Sequence, residues 1–163
     1  MATILFYPVY LVISFIFSLI YIPKKVYKEH LIYGMLVGGL GDMAVVGIFA
    51  NVFHLMWFKN AGFFNVLGQN FLSPPCWTFT VMLFLYFLPR RRPFLYLYIL
   101  VFAMYSFGYG ILVHNVDLYD FRPWFYYGMS PFIFGGWWSF AAWIFIKTSP
   151  LAQNGQWSSG KTE

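Results

Sequence analysis

Residues 31–53 read LIYGMLVGGLGDMAVVGIFANVF, and Asp42 is the twelfth of these twenty-three residues. A helix needs about 20 apolar residues to cross a bilayer. This stretch meets that length while carrying one carboxylate at its midpoint. A charge at the midplane is costly and marks either function or a paired structural contact. Asp42 is the only acidic residue inside any long apolar stretch of the chain.

Four further stretches flank it: residues 3–22, 71–88, 94–113 and 125–146, with Pro23, Pro89 and Pro93 punctuating their ends. The expected fold is an all-α transmembrane bundle of five helices forming a single domain over residues 1–147. A polar tail with Ser and Gly, residues 148–163, follows and is expected to be flexible. Composition agrees, because only 9% of the residues are charged against 61% hydrophobic, whereas soluble domains carry about 25% charged residues. The N-terminal MATILFYP lacks a basic n-region, so the first stretch reads as a retained span and not as a cleaved signal.

Charge placement sets the threading. With the N-terminus outside, the cytoplasmic segments hold Lys24, Lys25, Lys28, Arg90, Arg91, Arg92, Lys147 and Lys161, eight of the ten basic residues. The outer segments hold Lys59 and Arg122. Basic residues concentrate on the cytoplasmic side, so the expected orientation is N-out, C-in. The net charge of +5 therefore reports topology. No basic face with interleaved aromatics exists outside the spans, which argues against nucleic acid as a partner. One cysteine, Cys76, excludes an intrachain disulfide and disfavours a Cys-based metal site.

Small residues recur at helical spacing: Gly34, Gly38 and Gly41; Ala103, Ser106 and Gly110; Gly135, Ser139 and Ala142. In lipid such stripes let backbones approach closely. They point first to packing within the chain, and second to a homo-oligomer or another membrane protein. Two hairpins share an order of events. Each reaches a histidine (His54, His114), then an aromatic loop, then Ser-Pro (Ser73-Pro74, Ser130-Pro131). Ser followed by Pro is a helix-start signature and predicts two return helices of about 16 residues, near 24 Å long.

Depth matching gives Asp42 its candidate partners: Ser14, Thr78, Thr80, Ser106 and Ser139 lie near the middle of their own spans. Hydroxyls can donate to a carboxylate, and with no Lys or Arg at this depth a neutral, hydrogen-bonded Asp42 is expected. Gly39-Leu40-Gly41-Asp42 spells the G-x-G-D of intramembrane aspartyl proteases, but that chemistry needs two aspartates sharing a proton. Asp117 and Asp120 lie in the outer loop of residues 114–124. With His54 and His114 they form a second candidate set, for a divalent metal or a pH response, although the spacing matches no metal motif. No nucleophile elbow, H-E-x-x-H or phosphate loop occurs. No enzyme, cofactor or metal site is expected.

Several features together resemble a family of small five-span membrane proteins of spore-forming Gram-positive bacteria. These are Gly38-x-x-x-Asp42, Trp57 with Asn60-Ala61-Gly62, Pro74, the exit Phe84-Leu85-Tyr86-Phe87-Leu88-Pro89-Arg90, and Trp124 before the last span. The resemblance implies a multi-pass protein of the bacterial cytoplasmic membrane and carries no activity. The sequence thus favours a non-enzymatic protein that works by packing against lipids or partners. The alternative is a small proton-linked transporter or permeation unit using Asp42, and a lesser one is a lipid-active enzyme.

Overall fold

The structure, a computed structural model, describes residues 5–59, 65–66 and 69–154. The first residues of the expected first span, the loop residues Asn60-Ala61-Gly62 and Phe63-Phe64, and the tail beyond Asn154 with Lys161 lie outside the described residues.

The chain is mostly helical. Helix α1 spans Phe6–Tyr21 and α2 Lys24–Val52. Helix α3 spans Ser73–Tyr86, α4 Arg92–Asn115, α5 Pro123–Thr148 and α6 Pro150–Gln153. Among the described residues, α2, α4 and α5 are long and apolar enough to cross a membrane, and α1 is a shorter apolar helix. Four short strands sit in the connections: β1 Met56–Phe58, β2 Asn65–Val66, β3 Gln69–Asn70 and β4 Tyr119–Phe121.

Helix α3 is the axis of the bundle. Its 14 residues span about 21 Å, and Cys76, Val81, Met82, Phe84 and Leu85 are almost completely buried. Helix α1 runs beside it in the same direction, through the ring pairs Phe15–Phe79 and Tyr21–Phe87. Helices α2 and α4 run antiparallel to it, and α5 closes against both through Phe49–Phe125 and Phe102–Trp138. The densest packing surrounds Trp138, which is wholly buried and touches Trp77, Phe84 and Phe102. The outer faces are the reverse of a soluble surface. Leu36, Leu40, Leu97, Leu100, Phe132 and Trp143 are all more than half exposed, and contiguous apolar surface on this scale is rare on soluble monomers.

The glycine stripe of α2 is spent inside the chain. A Cβ on Gly38 would lie 2.5 Å from the Trp77 carbonyl oxygen, and one on Gly41 would collide with the Trp137 ring. Two backbones, α2 and α3, meet here without side chains between them. The helix is also wound differently on either side of Asp42. Gly34–Leu40 and Gly47–Val52 are π-helical, and the α-helical turns of Gly41–Val46 lie between them.

The two long loops are joined by a ribbon that their sequences do not announce. Strands β1 and β4 pair antiparallel, with Met56 opposite Phe121, Trp57 opposite Asp120 and Phe58 opposite Tyr119. Lys59 N–H to Leu118 O and Arg122 N–H to Leu55 O, both 2.9 Å, extend the ladder. The two helices that feed the ribbon end alike. His54 (φ 51°) and Asp117 (φ 57°) adopt the left-handed conformation just beyond the helix, which Asp and His tolerate better than most residues. At α4, Leu118 N–H bonds Val113 O and Asp117 N–H bonds His114 O, a Schellman ending. At α2 the equivalent bond, Leu55 N–H to Phe49 O, is one residue wider because the last turn is π.

Several boundaries differ from those read in the sequence. Helix α2 begins at Lys24, so the basic cluster lies on the helix and not in a connector. The second Ser-Pro pair does not open a helix: α5 starts at Pro123, with Pro at its first turn, and carries Pro131 inside it. The first pair does open α3, but without a side-chain cap from serine. The polar tail is ordered at its start. Ser149 donates to Glu29, Leu151 N–H reaches the same carboxylate at 3.4 Å, and Ala152 joins the main core. Beside this contact His30 is fully buried between Tyr86 and Phe145, with Nδ1 at 2.9 Å from Val26 O.

Candidate functional site

Asp42 faces a cavity. The cavity has a volume of about 110 Å³ and receives side chains from α1 to α5 and from the β1–β4 ribbon. Along α2 its lining runs Asp42, Val45, Val46, Phe49 toward the ribbon, so Asp42 is the deepest contribution of that helix. Met56, Phe58 and Tyr119 of the ribbon cover the opposite end. A second cavity of about 60 Å³ also touches Asp42, with Trp77, Phe134 and Trp137. Asp42 therefore sits where two cavities meet, between α2, α3 and α5.

The hydroxyls expected around Asp42 divide by the direction each faces. Ser106 lines the larger cavity. It donates to Phe102 O at 2.9 Å and accepts from the Trp138 indole at 2.9 Å. Ser14, Thr78, Thr80 and Ser139 do not line it. Thr78 donates to Pro74 O and fills the space beside Gly39. Thr80 donates to Cys76 O and meets the Tyr10 hydroxyl at 2.6 Å. Ser14 donates to Leu11 O and borders a separate groove with Tyr10 and Thr80. Ser139 is exposed and donates to Gly135 O. Each of these four satisfies its hydroxyl on its own helix, which is the cheapest partner for Ser or Thr in an apolar setting.

Tyrosines take the place the hydroxyls were expected to fill. Tyr7, Tyr109, Tyr119 and Tyr126 line the cavity. Tyr126 donates to Phe107 O at 2.6 Å. The Tyr109 hydroxyl is buried and makes no hydrogen bond of ordinary geometry, although it lies beside Tyr7. The two Ser-Pro serines, Ser73 and Ser130, also reach the cavity and are buried. Their helix-start reading fails for Ser130, but both residues face the same space.

The second candidate set lies on the ribbon. Asp120 pairs with Lys59 at 2.5 Å and with His114 Nδ1 at 3.5 Å. The hydrogen bond from Lys59 is the first cause that holds the Asp120 carboxyl below its usual range, and the Phe121 N–H adds to it. His114 also meets Tyr119 O at 3.1 Å. His54 is exposed, and its carbonyl accepts from Arg122 Nε at 3.2 Å. Asp117 is exposed in the turn before β4. Among the described residues no group of three or more His, Cys, Asp or Glu side chains converges on one point. The arrangement is a latch between two loops. Cys76 is buried, with its thiol on Tyr7 O at 3.7 Å, a packing role.

No protein-family model, curated protein or solved structure matches this chain.

Proposed function

We propose that the chain is an integral protein of a bacterial cytoplasmic membrane that crosses the bilayer five times, N-terminus outside, and that it is a small proton-linked transporter or permeation unit centred on Asp42. The observation that carries this reading is the cavity. A carboxylate kept only to clasp helices would be packed closed, whereas Asp42 borders two open spaces. Intramembrane acids that face cavities serve ion or proton pathways. The flanking π-helical turns support the same reading, because such turns concentrate at functional sites.

The five-span threading is supported by where the ends meet. The β1–β4 ribbon gathers the C-terminal ends of α2 and α4, and the Glu29–Ser149 contact gathers the start of α2 with the end of α5. The basic residues Lys24, Lys25, Lys28 and Lys147 then share one end, as the positive-inside rule requires of the cytoplasmic face. Helices α1 and α3 are short, but α3 is enclosed by protein, where the full hydrocarbon thickness need not be matched.

Proton flux into liposomes, driven by a pH gradient, tests this reading. The wild type is expected to conduct and Asp42→Asn to lose most of that flux at equal reconstitution. Equal flux in the two proteins overturns the transport reading. The glycine stripe supplies a second reading, a packing and interaction protein, but Gly34, Gly38 and Gly41 already meet Thr78, Trp77 and Trp137 of the same chain.

A further inference from the structure

We propose that the groove between α1 and α4, which Asp42 does not line, binds a membrane-soluble phenol. The groove has a volume of about 360 Å³, and Thr80 and Leu83 of α3 form its floor. Ile13, Phe17 and Val101 at its rim are each about half exposed, so it opens sideways, toward the lipid of the proposed bilayer. No charged side chain is among its described lining residues. Thr80 and Tyr105 stand near the middle of their helices, a depth at which a charged group is costly. The groove therefore suits a neutral, mostly apolar occupant.

The hydroxyl hydrogens decide which neutral molecule. Tyr10, Ser14, Thr80 and Tyr105 bring hydroxyls to the groove, and a hydroxyl has one hydrogen to give and two lone pairs. Ser14 gives its hydrogen to Leu11 O at 3.0 Å, and Thr80 gives its own to Cys76 O at 2.8 Å. With the Thr80 hydrogen spent, Tyr10 is the donor in its 2.6 Å contact with Thr80. With the Tyr10 hydrogen spent in turn, Tyr105 is the donor in its 2.8 Å contact with Tyr10. The relay thus ends on the Tyr105 oxygen, which can accept a hydrogen bond and has no hydrogen left to offer. A ligand that donates gains a hydrogen bond there. A ligand that only accepts must first break the Tyr105–Tyr10 bond, so it gains nothing net. A phenol is a stronger donor than an aliphatic alcohol, and its oxygen is a weaker acceptor, so leaving that oxygen unpaired costs less. The rings of Phe17, Phe102 and Tyr105 in the groove add the edge and offset contacts that aromatic pairs favour.

The test uses the full-length protein in nanodiscs and equilibrium dialysis of para-hexylphenol, its methyl ether para-hexylanisole, and para-hexylcyclohexanol. Empty nanodiscs of the same lipid give the background from simple partition. Saturable binding of the phenol is expected, with the ether and the cyclohexanol about fivefold weaker, the worth of one neutral hydrogen bond. Tyr10→Phe removes the acceptor of Tyr105 and frees its hydrogen. The ether should then gain about fivefold while the phenol changes less than about twofold, so that the preference disappears. Thr80→Val should do the same by another route, because Tyr10 then donates to Tyr105 and the Tyr105 hydrogen is released; it serves where Tyr10→Phe does not fold. Absence of saturable phenol binding, or equal binding of phenol and ether to the wild type, overturns the proposal. Cyclohexanol binding equal to that of the phenol overturns the phenol class. A preference that persists unchanged in either variant shows that the Tyr105 relay is not its source and overturns the site.

Discussion

Replacing Gly38 by alanine tests the architecture that places Asp42. The added Cβ would lie 2.5 Å from the Trp77 carbonyl oxygen, 2.8 Å from its carbonyl carbon and 3.0 Å from Thr78 Cα. All three are backbone atoms of α3, so no rotamer change relieves the contact. A carbon and a carbonyl oxygen sit comfortably at about 3.3–3.6 Å, so the helices must separate by most of an ångström. Overpacking costs about 1–3 kcal/mol, and a clash with main chain belongs at the top of that range. Alanine recovers up to about 1 kcal/mol of helix propensity, leaving a net loss of about 2 kcal/mol. Gly47 is the control, because a Cβ there meets nothing within 4 Å. Gly47→Ala should gain about 0.5–1 kcal/mol. The two variants should therefore differ by roughly 3 kcal/mol, more than a hundredfold in the folding equilibrium. Denaturant titration in detergent micelles, followed by tryptophan fluorescence, reads the difference directly. If Gly38→Ala proves as stable as Gly47→Ala, the close approach of α2 to α3 is wrong.

The ribbon latch should respond to acid. The Asp120 carboxyl is held below its usual range, first by the Lys59 hydrogen bond. Its stabilising contribution is therefore present above the unfolded value of about 3.9 and is lost as pH falls through the lower folded value. Both partners are partly exposed, so the contribution is at most about 1 kcal/mol. Hydrogen exchange at the Lys59 and Arg122 amides should quicken in Asp120→Asn at pH 7 but match the wild type near pH 2. A mutant effect of equal size at both pH values would exclude the ion pair as its cause. In the core, Ser106→Ala leaves the buried Trp138 indole N–H without its acceptor and should cost about 1–3 kcal/mol. Adding Trp138→Phe to that variant should cost less than Trp138→Phe costs in the wild type. Additive losses would show that the hydrogen bond contributes nothing.

The apolar stretches were legible because length and hydropathy report helices directly, and the basic clusters marked their ends. The π-helical turns were not, since no residue type demands an i→i+5 bond. The first of them, Gly34–Leu40, lies where glycines let α2 approach the backbone of α3. Pro131 misled because Ser-Pro is a good helix start in isolation. Here Arg122-Pro123 already supplies a first-turn proline, and a proline inside a helix is tolerated where neighbouring helices re-satisfy the freed carbonyl. The ribbon was invisible for another reason. Three-residue strands carry no usable period, and their pairing joins loops more than sixty residues apart.

The site itself exposes the limit of depth matching. A residue's distance along a span fixes its height but not its bearing, and Asp42 needed partners at the right bearing as well. Thr78 and Thr80 stand at a suitable height and turn back to their own helix. Tyr109 and Tyr126 are longer and cannot reach their own i−4 carbonyl from the ring end, so their hydroxyls must project into the space between helices. In an apolar bundle, short hydroxyls are thus consumed locally, while phenols are left to define a cavity. Tyrosine's commonest role in membranes is that of an interface anchor. What separates Tyr7, Tyr109 and Tyr126 from anchors is that they line one space with Asp42. The same logic explains why the glycines lie opposite. By bringing α2 against α3 at Gly38, they turn Asp42 toward rings instead of lipid.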